Sequence, residues 1–354
     1  MGNVAASRLV LAAGLWLGPL LGVEALAAPA GFAVSDEAGL ARPSPLAPKR
    51  LLTAIARAGT RLVAVGDHGH VVLSDDFGRT WRQATRVPAR VLLTSVTFVD
   101  GRTGWAGGHD AVILKTVDGG ETWTRQYADP DAEAPVLALH FRNGSHGLAV
   151  GAFALALETV DGGNLWEPRA LTLAEGTEPE HDGAVPRDGH LNAVLPLGDG
   201  RRLIPAEFGQ VFRGPGPDAR PVSGGLGFNR ANVGYDGSLW GGLVTTTGTV
   251  LVFGMRGTIR RSSDGGQSWV PIPAGTRKSL TGGTVLPDGS IILVGLGGTL
   301  AISRNDGIGF QAIQRADRKD LTAAAPSGDG GLVVTGDAGV LRLDPSRDLA
   351  FGGR

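Results

Sequence analysis

The chain has 354 residues, with 33 Lys and Arg against 34 Asp and Glu, 57 Gly, 21 Pro, no Cys and 42% hydrophobic residues. That apolar content can fill a core, which argues against disorder, and a net charge of −1 argues against a nucleic-acid binder working through a basic surface. Zero Cys excludes disulfides, thiolate metal sites and a cysteine nucleophile.

At the N-terminus, Arg8 precedes an apolar run from Leu9 to Val23, and Ala25-Leu26-Ala27 supplies the small-x-small pattern of a signal peptidase site. Residues 1–27 are therefore expected to be a signal peptide cleaved after Ala27. The run is too short for a membrane span and contains Gly14, Gly18 and Pro19. The product is expected in the periplasm or outside the cell. Residues 28–50 form an N-terminal segment before the repeats begin.

From residue 51 to 354 the chain is built of repeats. Four segments share one box: Ser74 to Trp81, Thr116 to Trp123, Thr159 to Trp166 and Ser262 to Trp269, with a weaker copy ending at Phe310. The closing aromatics are 42, 43, 103 and 41 residues apart, so the unit is 40 to 50 residues long and the long gap holds two units. A second marker, a short apolar strand ending in Gly, lies eight residues before each box. Its seven anchors are Gly66, Gly108, Gly151, Ala206, Gly254, Gly295 and Gly336, spaced 42, 43, 55, 48, 41 and 41. Short apolar strands alternate with Gly and Asp-Gly turns, and no segment sustains a helical period. The expectation is an all-β, seven-bladed β-propeller. A β-solenoid fits less well, because each unit is long and ends in a hairpin turn.

Within a box, an Asp at the turn's first corner can accept following backbone N–H groups, the Gly can take positive φ, and the Trp can pack between neighbouring units. Asp76, Gly78 and Trp81, Asp118, Gly120 and Trp123, Asp161, Gly163 and Trp166, and Asp264, Gly266 and Trp269 are accordingly read as structural. The sixth unit departs from the pattern at Asn305, Gly309 and Phe310, and the fourth loses it at Gly214-Pro215-Gly216-Pro217. Looser outer edges are expected in both. The seventh unit ends without a box, and a segment around Phe32 to Val34 is the expected closing strand. An acidic insertion at 171–190, with Glu175, Glu178, Glu180 and Asp182, reads as a surface loop.

Candidate binding residues follow the anchors, at the strand ends that should surround one mouth of the channel: Asp67, His68, His109, Asp110, Glu207, Phe208, Arg256 and Asp337. No catalytic residue is assigned. His68, His70, His109 and Asp110 have ligand chemistry but no metal-site spacing, so neither metal nor cofactor is assigned. A sialidase would need an Arg triad and a Tyr nucleophile; Tyr127 falls on an outer strand and Tyr235 has no nearby Glu.

The boxes resemble the bacterial neuraminidase repeat, or Asp-box. The units from Gly66 to Trp81 and from Gly104 to Asp110 make the mature chain similar to the photosystem II assembly and stability factor-like family of seven-bladed propellers, including its non-photosynthetic bacterial members. This resemblance implies an exported, non-enzymatic scaffold or assembly factor, a monomer. Its implied partner is a membrane protein or transporter component of the cell envelope, such as part of a resistance-nodulation-division type exporter. Two alternatives stand beside it: a carbohydrate- or small-ligand-binding propeller, suggested by Phe208 and Trp105 beside polar neighbours, and a glycosidase.

Overall fold

The computed structural model describes residues 39–173, 189–214 and 225–349. These residues form seven sheets, numbered here as blades 1 to 7 in chain order. Blade 1 sets the pattern, with Leu52–Ala58, Arg61–Gly66, Val71–Ser74 and Arg82–Gln83 paired antiparallel in succession. The first strands of the other blades are Leu93–Phe98, Val136–Phe141, Leu195–Pro196, Leu239–Val244, Leu280–Val285 and Leu321–Pro326. First strands of successive blades pack side by side except between blades 3 and 4, which meet through Leu148, Val150, Leu191 and Ile204, and Leu321–Pro326 lies against Leu52–Ala58, which closes the ring. The ring is a seven-bladed β-propeller. Among the described residues, α-helix is limited to Pro345–Asp348, and no helix is long and apolar enough to cross a membrane.

The anchor glycines are required by close approach rather than by a turn. Gly66 has an extended φ of −179°, and a Cβ there would meet the Leu51 carbonyl oxygen at 2.2 Å. The same collision recurs at Gly108, Gly151, Gly254, Gly295 and Gly336, at 2.0 to 2.3 Å from the carbonyl that precedes each first strand. Ala206 is the exception, and it shows the consequence. In blade 4 the pairing of Leu191 with Ala206 is an isolated bridge, and the first strand is reduced to Leu195–Pro196. We expect Gly295→Ala to cost roughly 1–3 kcal/mol by overpacking, whereas Ala206→Gly should be nearly neutral. Equal urea midpoints for Gly295→Ala and wild type would refute the close-approach explanation.

Two further periodic devices hold the blades together. Near the axis, the second residue of the first strand reaches the next blade: Thr281 Oγ1 donates to the Leu321 carbonyl at 2.7 Å, and Thr322 Oγ1 to Leu52 across the closure at 2.7 Å. Thr53 and Thr94 do the same toward Leu93 and Val136, and in blade 4 Asn192, on the connector just after the Leu191 bridge, donates its Nδ2 to Leu239. At the perimeter, a cation donates to a turn carbonyl of the following blade. Lys115 reaches Gly162 at 2.8 Å, Arg213 Gly265 at 3.0 Å, Arg261 Asp306 at 2.9 Å, Arg342 Phe77 at 3.1 Å and Arg61 Gly119 at 3.2 Å. The forked guanidinium can make such a contact and still bind a carboxylate, as Arg342 does with Asp329. The chain has only four Lys among its 33 Lys and Arg, and part of this preference for arginine has a structural use.

The box turns carry the hydrogen bonds their chemistry predicts. Asp76 accepts the Thr80 N–H at 2.8 Å and the Thr80 hydroxyl at 2.6 Å, Gly78 N–H donates to Ser74 Oγ at 2.8 Å, and Gly78 has a φ of +85°. Trp123 and Trp166 are buried, whereas Trp81 and Trp269 are only half-buried.

The outer edges differ from expectation. Blade 6 ends in the four-residue strand Gln311–Gln314, as long as Thr124–Tyr127 of blade 2 and longer than the two-residue outer strands of blades 1, 3 and 5, and Asn305 takes the place of Asp as acceptor for the Gly309 N–H at 3.1 Å. Blade 4 has the longest outer strand, Gly225–Asn232, and Ala170–Leu173 pairs parallel to it. The start of the 171–190 insertion is thus a strand rather than a loop, and its acidic centre lies outside the described residues.

Blade 7 has three strands, Leu321–Pro326, Leu332–Gly336 and Gly339–Leu343. Phe32 to Val34 lie outside the described residues. What meets this blade's edge is the 3-10 turn Ala47–Lys49, packed so closely that a Cβ on Gly339 would lie 1.9 Å from the Pro48 carbonyl. Upstream of that turn the chain crosses blade 1, where Ser44 N–H donates to Gln83 at 2.8 Å and Ala41 N–H to the Val87 carbonyl at 2.8 Å.

Candidate functional site on the turn-bearing face

The turns between second and third strands all lie at one end of the ring. Each begins with an N–H bonded to the connector that enters its blade's first strand: Asp67 to Leu51 at 3.0 Å, His109 to Leu92 at 2.9 Å, Glu207 to His190 at 3.1 Å, Met255 to Ser238 at 3.1 Å and Asp337 to Asp320 at 3.1 Å. All eight predicted binding residues therefore sit on one face. The anchor glycine ends the second strand from the axis, not the innermost one, so these residues encircle the mouth rather than line it.

Within this circle the predicted residues interact only locally. His68 Nδ1 lies 2.7 Å from Asp67 Oδ2, and no described hydrogen bond or ion pair joins the predicted residues of one turn to those of another. His70 is buried beneath the face, where burial lowers its pKa, and its Nδ1 lies 3.3 Å from Gln83 Nε2. Among the described residues, no group of three His, Asp or Glu is arranged to hold a metal ion. Tyr235 donates its hydroxyl to the Met255 carbonyl at 3.2 Å beneath the Arg260 guanidinium, and Tyr127 is half-buried on the outer strand Thr124–Tyr127, where burial raises its pKa.

In blades 1 to 6 the residue two beyond the anchor has the left-handed conformation: His68 (φ 53°), Asp110 (57°), Phe153 (55°), Phe208 (57°) and Arg256 (58°), with Gly297 at the matching place in blade 6 (65°); in blade 7 the positive φ falls instead on Gly339 (82°). This region disfavours bulky side chains, so five non-glycine residues at one repeat position are unusual. Phe153 and Phe208 are each 53% exposed. Phe153 is absent from the sequence-derived candidates, although counting two residues past every anchor would have found it. His190 is likewise missed because it lies on a connector. Its ring meets that of Phe153 edge to face at 5.3 Å, and its N–H donates to Glu207 Oε2 at 3.1 Å. Trp105, by contrast, has no access to the face: it is fully buried and stacked on Phe141 with centroids 3.4 Å apart.

Charge is spread unevenly over the face, although exposed Arg90 lies on the connector into blade 2 and exposed Asp337 on the turn of blade 7. Blades 2 to 4 and their connectors present Asp110, Asp129, Asp131, Glu133, Glu207 and Asp236, whereas blades 5 to 7 present exposed Arg256, Arg277, Lys278, Arg318 and Lys319. In the cationic half, Asp320 is occupied by the Gly297 N–H at 2.6 Å and Asp317 by Arg315 at 2.8 Å. Such an uneven distribution favours oriented docking of a partner with complementary charge.

No protein-family model matches the chain, and no curated protein matches it. Solved structures do. YCF48 bound to a D1 peptide is similar with a TM-score of 0.64 and 18% identity over 87% of this chain and 97% of that one. YCF48 from Cyanidioschyzon merolae gives 0.64 and 15% over 87% and 100%, and the WD40 β-propeller domain of Doa1 gives 0.62 and 13% over 86% and 94%. At these identities the likeness establishes the fold.

Proposed function

We propose that the chain is an exported, non-enzymatic scaffold or assembly factor that binds a membrane protein of the cell envelope through the turn-bearing face. The observation that carries this reading is the face itself: a ring of blades holds charged and aromatic turn tips outward, with most carboxylates in blades 2 to 4 and most cations in blades 5 to 7. Rigid scaffolds that display loops in this way suit recognition. The existence of a solved propeller of like fold bound to a peptide, YCF48 with D1, supports the reading. In this account residues 1–27 direct export, and the partner is a transporter component, with a resistance-nodulation-division type exporter as the specific expectation.

The test is capture from solubilised native membranes. Replacing Asp67, His109 and Arg256 together by alanine should leave the melting temperature nearly unchanged and weaken capture of the partner by about tenfold or more, equivalent to ~1.4 kcal/mol. Undiminished capture would move the interface off this face. Turnover of a chromogenic glycoside, abolished by replacing a single carboxylate, would replace the scaffold by an enzyme.

A further inference from the structure

The exposed aromatic residues of blades 3 and 4 sit on neighbouring turns linked through His190 and Glu207. Phe153 packs against the His190 ring at 5.3 Å, and the His190 N–H is held by Glu207 at 3.1 Å. Phe208 follows Glu207 directly, and Ser238 Oγ from the next connector lies 3.5 Å from Glu207 Oε1. The patch thus runs across the boundary between the two blades and on toward blade 5. It lies in the acidic half of the face, with Asp236 on one side and Asp129, Asp131 and Glu133 on the other.

Two properties mark the patch as a docking surface. A phenylalanine left about half exposed keeps much of its apolar surface in water, and here each also occupies a backbone region that glycine fills without strain, as Gly297 does at the matching position. Neither residue is explained by the stability of its turn. The surrounding carboxylates then specify the charge of what docks: a cation brought near them is attracted, and one placed over a phenylalanine face gains a cation–π contact.

Resting on the scaffold reading above, we infer that the patch formed by Phe153, His190, Glu207 and Phe208 docks a basic segment of the partner protein in which Lys or Arg alternates with apolar side chains. The apolar side chains would cover the two phenyl rings, and the cations would face the carboxylates. Exposed aromatics flanked by polar groups are the residue types that dominate interface energetics.

The experiment uses the purified protein and three labelled twelve-residue peptides, followed by fluorescence anisotropy. One peptide alternates Lys and Arg with Leu and Phe, the second replaces every cation by Glu, and the third replaces every apolar residue by Ser. The first should bind at least about tenfold more tightly than either of the others, and its affinity should fall as salt rises. The double variant Phe153→Gly, Phe208→Gly should lose that preference, while its melting temperature stays level or rises because glycine relieves both turns. Equal binding of the basic and acidic peptides, or unchanged binding by the double variant, would overturn the inference. Membrane capture separates it from the broader proposal. If the double variant still captures the native partner, the scaffold stands and this docking surface falls. If wild type captures no membrane protein yet binds the basic peptide selectively, the surface chemistry stands and the scaffold reading falls.

Discussion

Trp123→Ala is expected to lower the stability of the ring by about 3–5 kcal/mol, the range for truncating a fully buried aromatic. Trp123 has no exposed surface and lies in the cluster between blades 1 and 2 with Val63, Leu73 and Leu114. Its indole N–H donates to the Gly120 carbonyl at 2.9 Å, and its ring meets the edge of Phe98 at 6.2 Å. Alanine would leave a cavity in this packing and an unfilled acceptor. Trp269 closes the corresponding box of blade 5 but is half-buried, and its Nε1 has no hydrogen-bond partner among the described residues. Trp269→Ala should cost roughly half as much, because less surface is returned to water. Urea unfolding of both variants makes the comparison. Equal losses would show that the box aromatics contribute through something other than burial between blades.

The second large effect is on pH dependence. His140 lies on the first strand of blade 3, where burial, reinforced by the nearby Arg202 guanidinium, pushes its pKa down to about 4. In the unfolded chain an imidazole titrates near ~6.5. Between these values the unfolded chain binds a proton that the native state excludes, so stability rises with pH. The contribution is complete above ~6.5 and disappears as pH falls to about 4, by up to roughly 3 kcal/mol. Replacing His140 by Gln should flatten the stability profile across this window. The box carboxylates act at lower pH: hydrogen bonds from Thr80 hold Asp76 at about 2. Its contribution is present above ~3.9 and lost only as pH falls through that lower value. Identical profiles for His140→Gln and wild type between pH 7 and 4 would mean that the ring is not held neutral.

Much of the architecture was legible because a propeller imposes the same steric demand on every blade. A Cβ at the anchor would strike the carbonyl that precedes the first strand, so Gly recurs at Gly66, Gly108, Gly151, Gly254, Gly295 and Gly336. That periodicity gives the count. The hydroxyl ring of Thr53, Thr94, Thr281 and Thr322 was not legible as such, because one Thr inside an apolar strand has no local signature and its acceptor lies 40 to 42 residues ahead, or 270 residues away at the closure. Trp105 was misplaced for a related reason. Polar neighbours suggested exposure, but Gly104–Gly108 is a second strand, buried on both faces between blades 2 and 3. The face itself could be assigned from repeat position, while the joining of Phe153 to Glu207 through His190 depends on a connector outside the repeat pattern.

The most direct measurement of the central claim is site-specific photocrosslinking in the native envelope. A crosslinking side chain placed at His68 or Asp337 on the turn-bearing face is compared with one placed at Ser263 or Thr246 at the opposite end of the ring. The first pair is expected to yield a discrete adduct with an integral membrane protein and the second pair none. Adducts with the same membrane protein from the opposite end alone, or none from the turn-bearing face, would contradict that claim.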